Sequence, residues 1–222
     1  MINWNAIETV ILDMDGTLLD LNFDNQFWLH YVPECYAKKN NLSIERARSH
    51  LLTLMHSVKH TLSWYDIHYW SATLDLDILS LKHDLAHLIQ KRPGVDLFLQ
   101  TLKKKNKAIW LATNAHHDTI ELKFARTELA TYLDNVICSS ELGVVKESID
   151  FWQVLYQRHP FNAEASMFVD DNEPMLRSAQ RFGITHLFAI AQPDLSQPEE
   201  PNSHQDRTSD FPMIRHFQDL IR

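Results

Sequence analysis

The feature that most constrains the fold of this chain is a short apolar run that ends abruptly in two carboxylates. Thr9–Leu12 is β-branched or aliphatic without polar alternation, which is typical of a strand buried on both faces of a sheet. Asp13 and Asp15 follow at once, and then Gly16 and Thr17. Because side chains two residues apart on an extended segment project to the same side, both carboxylates should face one point. In open α/β sheets, ligands bind at this carboxyl end of the strands.

Composition and charge exclude several classes of protein. The 222 residues are 45% hydrophobic, which is enough for one large core or for a core with a smaller appendage. The net charge of -8 argues against binding to a nucleic acid polymer, because such binders need clustered Lys and Arg. Cys35 and Cys138 lie far apart without metal-ligand spacing, which predicts free thiols in a reducing compartment. Without a signal segment or a long apolar run, we expect a cytoplasmic protein with no membrane partner.

Hydrophobic periodicity predicts an α/β fold with one long interruption. The next buried-strand pattern after the first is residues 108–113, much further along the chain than a crossover requires. Residues 21–92 contain helix formers and aromatic residues at helical spacing and no glycine, which predicts an inserted helical cap. From residue 93 onward strands and helices alternate, which predicts a Rossmann-like parallel sheet with helices on both faces. We therefore assign residues 1–20 and 93–222 to the core and 21–92 to the cap.

Individual core elements can be placed from the same pattern. The predicted helices are residues 94–106, 117–129, 147–158, 173–182 and 213–222. The predicted strands after the second are residues 136–138, 165–169 and 184–190, and residues 192–210 read as a surface loop.

Polar residues follow three further predicted strands. Thr113 and Asn114 end the second strand, Lys146 follows the third, and Asp170 and Asp171 end the fourth. Because parallel strands bring their carboxyl ends to one edge, these side chains should share a cleft with the first two aspartates. Four acids that close repel one another unless a cation lies among them, and hard oxygen ligands suit Mg²⁺. No cluster of His or Cys accompanies them, so zinc is disfavoured.

In this order the motifs resemble those of the haloacid dehalogenase-like hydrolase superfamily. They are Asp13-Met14-Asp15-Gly16-Thr17, Thr113-Asn114, Lys146 and Asp170-Asp171. The segment between the first and second motifs resembles the helical cap of a phosphatase subgroup. A closer similarity, to the purine 5′-nucleotidases of this superfamily, is carried by residues 18–28, 60–70 and 113–116 and extends over nearly the whole chain.

The resemblance implies a Mg²⁺-dependent phosphomonoesterase that works through an aspartyl-phosphate. Asp13 would be the nucleophile, and Asp15 the general acid and then the base. Asp13, Asp171 and the backbone carbonyl of Asp15 would bind the metal, with Asp170 helping directly or through other ligands. Lys146 would stabilise the charge on the phosphoryl group and on the nucleophile. The phosphate-binding residues implied are Gly16, Thr17, Thr113, Asn114 and Lys146.

The implied substrate is a small phosphomonoester, a purine nucleoside 5′-monophosphate such as GMP or IMP, and we expect a monomer. A sugar-phosphate phosphatase and a phosphoglucomutase-like phosphotransferase share the motifs and remain alternatives. A dehalogenase has no need of the Asp15 acid, and a non-catalytic sensor has no need of the Asp13 nucleophile. Aromatic residues of the cap, including Trp28 and Trp70, fit either the cap interior or the substrate pocket, and His116 fits either a helix cap or the pocket rim.

Overall fold

The computed structural model describes residues 2–197 and 209–221, which are built on a six-stranded sheet. The strands are β1 (Thr9–Leu12), β2 (Ala108–Thr113), β3 (Asn135–Cys138), β4 (Ser166–Asp170), β5 (His186–Ile190) and β6 (Met213–Ile214). All pairs are parallel, and the order across the sheet is β3-β2-β1-β4-β5-β6. The predicted fold class is therefore confirmed, and β1 lies at the centre, where its neighbours on both sides are β2 and β4.

Helices of very different length connect the strands. Those that precede β2 are α1 (Asn22–Gln26), α2 (Val32–Asn40), α3 (Ile44–Val58), α4 (Leu62–Tyr65), α5 (Ile67–Leu74), α6 (Ile78–Asp84) and α7 (Val95–Lys104). Those that follow are α8 (His117–Thr127), α9 (Ser139–Leu142), α10 (Ile149–Arg158), α11 (Glu173–Phe182) and α12 (Gln218–Ile221). A π-helical segment, Phe27–Tyr31, joins α1 to α2, and 3₁₀ turns lie at Trp4–Ala6, Ala86–Leu88 and Leu129–Tyr132. None of the described helices is both long enough and apolar enough to cross a membrane.

Successive residues of the central strands pack alternately into two apolar layers, one on each face of the sheet. Ile11, Trp110 and Phe168 pack on one face of the sheet with residues of α10 and α11. Val10 and Leu12 pack on the other face with residues of α7 and α8. Because neighbouring side chains of a strand point to opposite faces, a sheet covered on both sides needs apolar residues at every position. This explains the uninterrupted apolar run of β1.

Helices α1 to α6 and the turn Ala86–Leu88 all lie between β1 and β2 in the chain, and we call Asn22–Leu88 the helical insertion. It has its own apolar cluster, formed by Phe27, Val32, Leu51, Ile67, Trp70, Leu74 and Ile78. The segments that lead out of and back to the sheet run side by side. The amide of Asp20 donates to Gln90 O at 2.9 Å, and the amide of Arg92 donates to Leu18 O at 3.0 Å. The predicted boundaries at 20/21 and 92/93 fall in this double connection, and the division into two domains stays a prediction.

The predicted helix over residues 213–222 is wrong in its first half. Met213 and Ile214 form β6 beside Ala189 and Ile190, and only Gln218–Ile221 is helical. The strand is favoured because its alternation buries Ile214 under the sheet edge, at 6% exposure, while Met213 stays 40% exposed. Of the predicted loop at 192–210, residues 198–208 lie outside the described part of the chain. Both cysteines are free, as predicted, although only Cys138 is buried.

The edge strand β6 can be tested with a pair of neighbouring substitutions. Ile214→Ala should lower the free energy of unfolding by about 2–5 kcal/mol, because it removes buried methyl groups and leaves a cavity. Met213→Ala, on the exposed side of the same strand, should change it by less than about 0.5 kcal/mol. Urea denaturation measures both values. Equal losses would contradict the strand alternation.

Candidate active site

The polar residues predicted to converge meet at the carboxyl edge of β1, β2 and β4. Most of them, though not Lys146 or Asp170, face a cavity of about 370 Å³ between this edge and the helical insertion. From the sheet side, the wall contains Asp13, Asp15, Thr113, Asn114, Ala115, His116, Thr119, Asp171, Asn172 and Met175. From the other side, it contains Leu21, Asp24, Asn25, Trp28, Leu29, Met55, Trp64, Tyr65, Ile67, Trp70 and Lys82. This volume lies within the range of about 300–1,000 Å³ that is typical of small-molecule sites.

Three carboxylates and one lysine form a cluster at this edge of the sheet, in which Asp13 and Asp171 line the cavity and Asp170 and Lys146 are fully buried. Oxygen atoms of Asp13, Asp170 and Asp171 all lie within 4.8 Å of one another. Lys146 Nζ lies 2.5 Å from Asp13 Oδ1 and 2.8 Å from Asp170 Oδ2, and this side chain is completely buried. It also donates to Ala112 O at 2.8 Å. When all are ionised, three negative charges face one positive charge, so the cluster has an excess of two negative charges.

Burial makes this excess charge costly. It raises the pKa of Asp171 well above its usual range, and the negative charges of Asp170 and Asp13 raise it further. Burial also raises the pKa of Asp170 to about 7, against the opposing effect of Lys146. Burial disfavours the charge on Lys146, but Asp13 and Asp170 outweigh it and raise the lysine pKa. An all-oxygen cluster that lacks two positive charges fits a hard divalent cation such as Mg²⁺ better than zinc.

The Asp15 side chain is turned away from this cluster. Its Oδ1 accepts a hydrogen bond of 2.5 Å from Lys123 Nζ, which comes from α8 and is 1% exposed. Burial raises the pKa of Asp15 to about 6, although Lys123 acts in the opposite direction. The two aspartates at the end of β1 therefore lie in different environments, as two carboxylates with different chemical tasks require.

Lys123 is itself shared with a second aspartate, in the helical insertion. Its Nζ donates to Asp24 Oδ2 at 2.7 Å, and Lys82 Nζ lies 3.3 Å from Asp24 Oδ1. Lys82 also lies 4.5 Å from the ring centroid of Phe27, as a cation–π contact. Burial alone would raise the pKa of Asp24, but the two lysines lower it. We call Asp15, Asp24, Lys82 and Lys123 the charge quartet; with all four groups ionised it is neutral.

Asp24, Lys82 and Lys123 were not predicted from the sequence as parts of the site. A signal existed for Lys123, because helical spacing places it with Thr119 and Thr127 on one face of α8, and all three are buried. A lysine on a buried face of a helix is uncommon unless it has a charged partner.

Asn114 is held by a second set of contacts that links the sheet edge to the insertion. Its Oδ1 accepts from the amide of Lys146 at 2.9 Å, and its Nδ2 donates to Glu147 Oε2 at 2.9 Å. The Tyr65 hydroxyl donates to Glu147 Oε1 at 2.7 Å. Burial and the nearby Glu147 both raise the pKa of Tyr65. Glu147 was also missed, because a lone glutamate near a helix start gives no sequence signal.

The remaining predicted residues differ in how they approach the cavity. Thr113 Oγ1 accepts from the amide of Ala115 at 3.1 Å. Thr17 is fully buried, and its hydroxyl has no hydrogen-bond partner among residues 2–197 and 209–221. Gly16 has φ +78, and a Cβ there would come within 2.7 Å of Asp171 Oδ2. Gly16 therefore leaves room for the Asp171 carboxylate, and its contact with phosphate stays a prediction.

Both interpretations of the histidine and of the aromatic residues hold in part. His116 Nδ1 accepts from the amide of Asp118 at 3.3 Å and so caps α8, and the same side chain lines the cavity. Trp70 belongs to the apolar cluster of the insertion and also reaches the cavity wall, as do Trp28 and Trp64.

Comparison with known proteins gives both sequence and structural relatives. A family model described as haloacid dehalogenase-like hydrolase matches residues 7–183. The chain is 35% identical over 210 residues to the GMP/IMP nucleotidase YrfG of Escherichia coli (strain K12), and the match covers 95% of each protein. The nucleotidase of the same name from Shigella flexneri matches to the same extent.

Solved structures share the fold over almost the whole chain. A HAD phosphatase from Thermococcus onnurineus superposes with a TM-score of 0.77 at 20% identity, covering 96% of each chain. A putative beta-phosphoglucomutase from Thermotoga maritima gives a TM-score of 0.65 at 16% identity, covering 97% of each chain. At these low sequence identities the superpositions show a shared fold and nothing about function.

The steric role of Gly16 can be separated from its backbone conformation. Gly16→Ala should weaken Mg²⁺ binding by about tenfold or more, because the new Cβ displaces the Asp171 carboxylate. Losing a group that orients a metal ligand typically lowers metal affinity by at least that factor. Gly143→Ala is the matched control, because Gly143 has φ +76 and a Cβ there meets no atom within 4 Å. Isothermal titration calorimetry measures the affinity. Equal losses in the two variants would contradict the steric explanation.

Proposed function

Because this chain belongs to the haloacid dehalogenase-like hydrolase family, we propose that it is a Mg²⁺-dependent phosphomonoesterase that hydrolyses purine nucleoside 5′-monophosphates such as GMP and IMP. The observation that carries the proposal is the separation of two adjacent carboxylates. Asp13 faces the metal-binding cluster with Lys146, whereas Asp15 pairs with Lys123. One carboxylate is thus available as a nucleophile and the other for proton transfer.

Asp13 is the nucleophile of the proposed reaction. It lies on the cavity wall, and Lys146 holds one of its oxygens at 2.5 Å. In the first step an Asp13 oxygen bonds to phosphorus while the bond from phosphorus to the ester oxygen breaks. The positive charge of Lys146 stabilises the negative charge that gathers on the transferring phosphoryl group. The aspartyl-phosphate that results divides one difficult displacement into two easier ones.

Asp15 transfers the proton in both steps. With a pKa near 6, part of the population is protonated at neutral pH, and that proton passes to the departing ester oxygen. In the second step Asp15 takes a proton from the attacking water as the bond between phosphorus and Asp13 breaks. Phosphate then leaves and Asp15 has recovered its proton.

The metal would be held by Asp13, Asp171 and the backbone carbonyl of Asp15. Asp170 Oδ1 accepts from the amide of Asn172 at 2.8 Å, and Oδ2 lies at ion-pair distance, 2.8 Å, from Lys146 Nζ. We infer that Asp170 contributes charge and orients Lys146. When bound, Mg²⁺ would supply the positive charge that the cluster lacks and that the phosphate oxygens require.

Thr113 is the best-placed side chain for a phosphate oxygen. Its hydroxyl oxygen accepts a bond from the protein, which leaves its proton free to donate. Asn114 uses both ends of its amide within the protein, so we infer that it positions Lys146 and Glu147. Gly16 and Thr17 would contact the phosphate through their backbone amides, which follow Asp13 in the chain.

The cavity wall on the side of the helical insertion is suited to binding a planar substrate. Trp28, Trp64 and Trp70 provide aromatic surface on the side of the helical insertion, and a purine ring can stack on such surface. The nucleotidase relatives at 35% identity support the same substrate class. That the protein acts as a monomer in the cytoplasm stays a prediction.

A panel of phosphomonoesters tests the reaction and the substrate together. GMP and IMP should be hydrolysed with kcat/KM values at least about tenfold above those for ribose 5-phosphate and glucose 6-phosphate. A chelator should abolish the activity, and Mg²⁺ should restore it. Asp13→Asn should lower kcat by about a thousandfold or more, whereas Asp150→Asn, an exposed position on α10, should not. Rapid release of phosphate from sugar phosphates with GMP and IMP intact would refute the substrate assignment.

A phosphoglucomutase-like transferase is the second candidate, because Asp15 could activate a sugar hydroxyl in the same way as water. The two differ in their products. We expect glucose 1-phosphate to give at most free phosphate, with no isomer and no requirement for a bisphosphate. Phosphorus NMR follows the products directly. Accumulation of glucose 6-phosphate only when glucose 1,6-bisphosphate is added would favour the transferase.

A further inference from the structure

The charge quartet lies where α1 and α6 of the helical insertion meet α8. Side chains of Lys123 and Lys82 are only 1% and 3% exposed, while Asp15 and Asp24 keep 23% and 19% exposure, toward the cavity. Burying two lysines is costly, and such ion pairs often stabilise a fold less than apolar residues of similar size would. Stability alone therefore gives no reason for two lysines at this place.

We propose that Lys123 is a positioning residue for Asp15, and that Asp24 and Lys82 of the helical insertion hold Lys123 in place. The inference rests on the proposed phosphomonoesterase reaction, in which Asp15 transfers the proton. It does not depend on which phosphomonoester is the substrate.

Lys123 would prevent the Asp15 carboxylate from turning toward the cluster of acids around Asp13. Asp15 follows Asp13 by two residues, and the neighbouring cluster of Asp13, Asp170 and Asp171 lacks two positive charges. A free Asp15 carboxylate could turn toward any cation bound there and become one more ligand. The 2.5 Å bond from Lys123 to Oδ1 holds the carboxylate in the other direction. In the described part of the chain Oδ2 accepts no hydrogen bond, so this oxygen remains for the ester oxygen of the substrate.

Asp24 fixes the position of the Lys123 ammonium group relative to Asp15. The lysine bonds to both aspartates at nearly equal distances, 2.5 Å to Asp15 and 2.7 Å to Asp24, so its ammonium group lies between them. Lys82 Nζ lies 3.3 Å from the other oxygen of Asp24, Oδ1, so the single negative charge of Asp24 is shared between the two lysines. Removing Asp24 should therefore loosen Lys123 and, through it, Asp15.

The dependence of the rate on the leaving group tests this inference. An alkoxide leaving group such as the ribose 5′-oxygen needs a proton from Asp15, whereas p-nitrophenolate can leave without one. Lys123→Met should lower kcat/KM for an alkyl phosphomonoester by about 10²–10³-fold, within the range of about 10²–10⁴-fold that a general acid typically contributes. For p-nitrophenyl phosphate kcat/KM should fall by less than about tenfold, because this constant reports only the steps up to the first release of product.

The second step gives an independent signal. In Lys123→Met the Asp15 carboxylate is no longer held in place, so water should attack the aspartyl-phosphate slowly. With p-nitrophenyl phosphate the variant should therefore release one p-nitrophenol per enzyme in a burst and then turn over with a low kcat. Asp24→Asn should give the same leaving-group pattern with a smaller loss. It keeps the shape of the side chain, and it serves as the second variant if Lys123→Met does not fold.

A double-mutant cycle separates positioning from a general loss of structure. If Lys123 acts only through Asp15, Lys123→Met should cause no further loss in an Asp15→Asn protein. Lys103→Met is the matched control and should change kcat/KM for neither substrate, because this lysine of α7 has a 39% exposed side chain and does not line the cavity. Inhibition by inorganic phosphate reports whether the binding site is intact, and it should be unchanged in Lys123→Met.

The outcomes distinguish this inference from the proposed function. Equal losses for alkyl and aryl esters in Lys123→Met, or an additive loss in the double mutant, would overturn the role of Lys123 and leave the phosphatase assignment intact. A wild-type enzyme that hydrolyses other alkyl phosphates but not nucleotides would overturn only the substrate. A wild-type protein that hydrolyses no phosphomonoester would overturn both.

Discussion

The close placement of two aspartates, one buried and one partly exposed, at the end of β1 is the constraint on which the site depends. Each of them meets its own lysine, at the same distance of 2.5 Å: Lys146 for Asp13 and Lys123 for Asp15. The surroundings of the two pairs differ in net charge. The group around Asp13 keeps an excess of two negative charges, whereas the charge quartet is neutral. The difference in net charge favours a cation on the Asp13 side only, which is the basis for assigning proton transfer to Asp15 in the proposed function.

The residues at the strand ends could be predicted because they follow from topology. β1, β2 and β4 are adjacent and parallel, so polar residues that end them must meet at one edge, whatever their individual contacts. This rule places Asp13, Thr113 and Asp171 together. The same rule places Lys146, which follows the third predicted strand, in the shared cleft, and the family resemblance implied its role. Its complete burial could not be predicted, because a lone lysine is normally solvated.

The charge quartet could not be predicted because its members lie far apart in the sequence. Lys123 is separated from Asp15 by 108 positions, and Lys82 from Asp24 by 58. Helical spacing can show that a lysine faces the interior, but it cannot show which acid it meets there. The same limit explains the error at the C-terminus, where Ile214 belongs to a strand only because β5 offers an unpaired edge. Local patterns describe single elements well and distant partners poorly.

The double connection between sheet and insertion has an evolutionary consequence. Asp20 bonds to Gln90, and Leu18 bonds to Arg92, so the chain departs from the sheet and returns at almost the same point. The segment between these two connections can therefore differ in length without changing where the chain leaves β1 and returns toward β2. Substrate preference can thus diverge among descendants of such a fold while the phosphoryl-transfer chemistry is inherited unchanged. The charge quartet is the exception, because an exchanged segment must bring its own partner for Lys123.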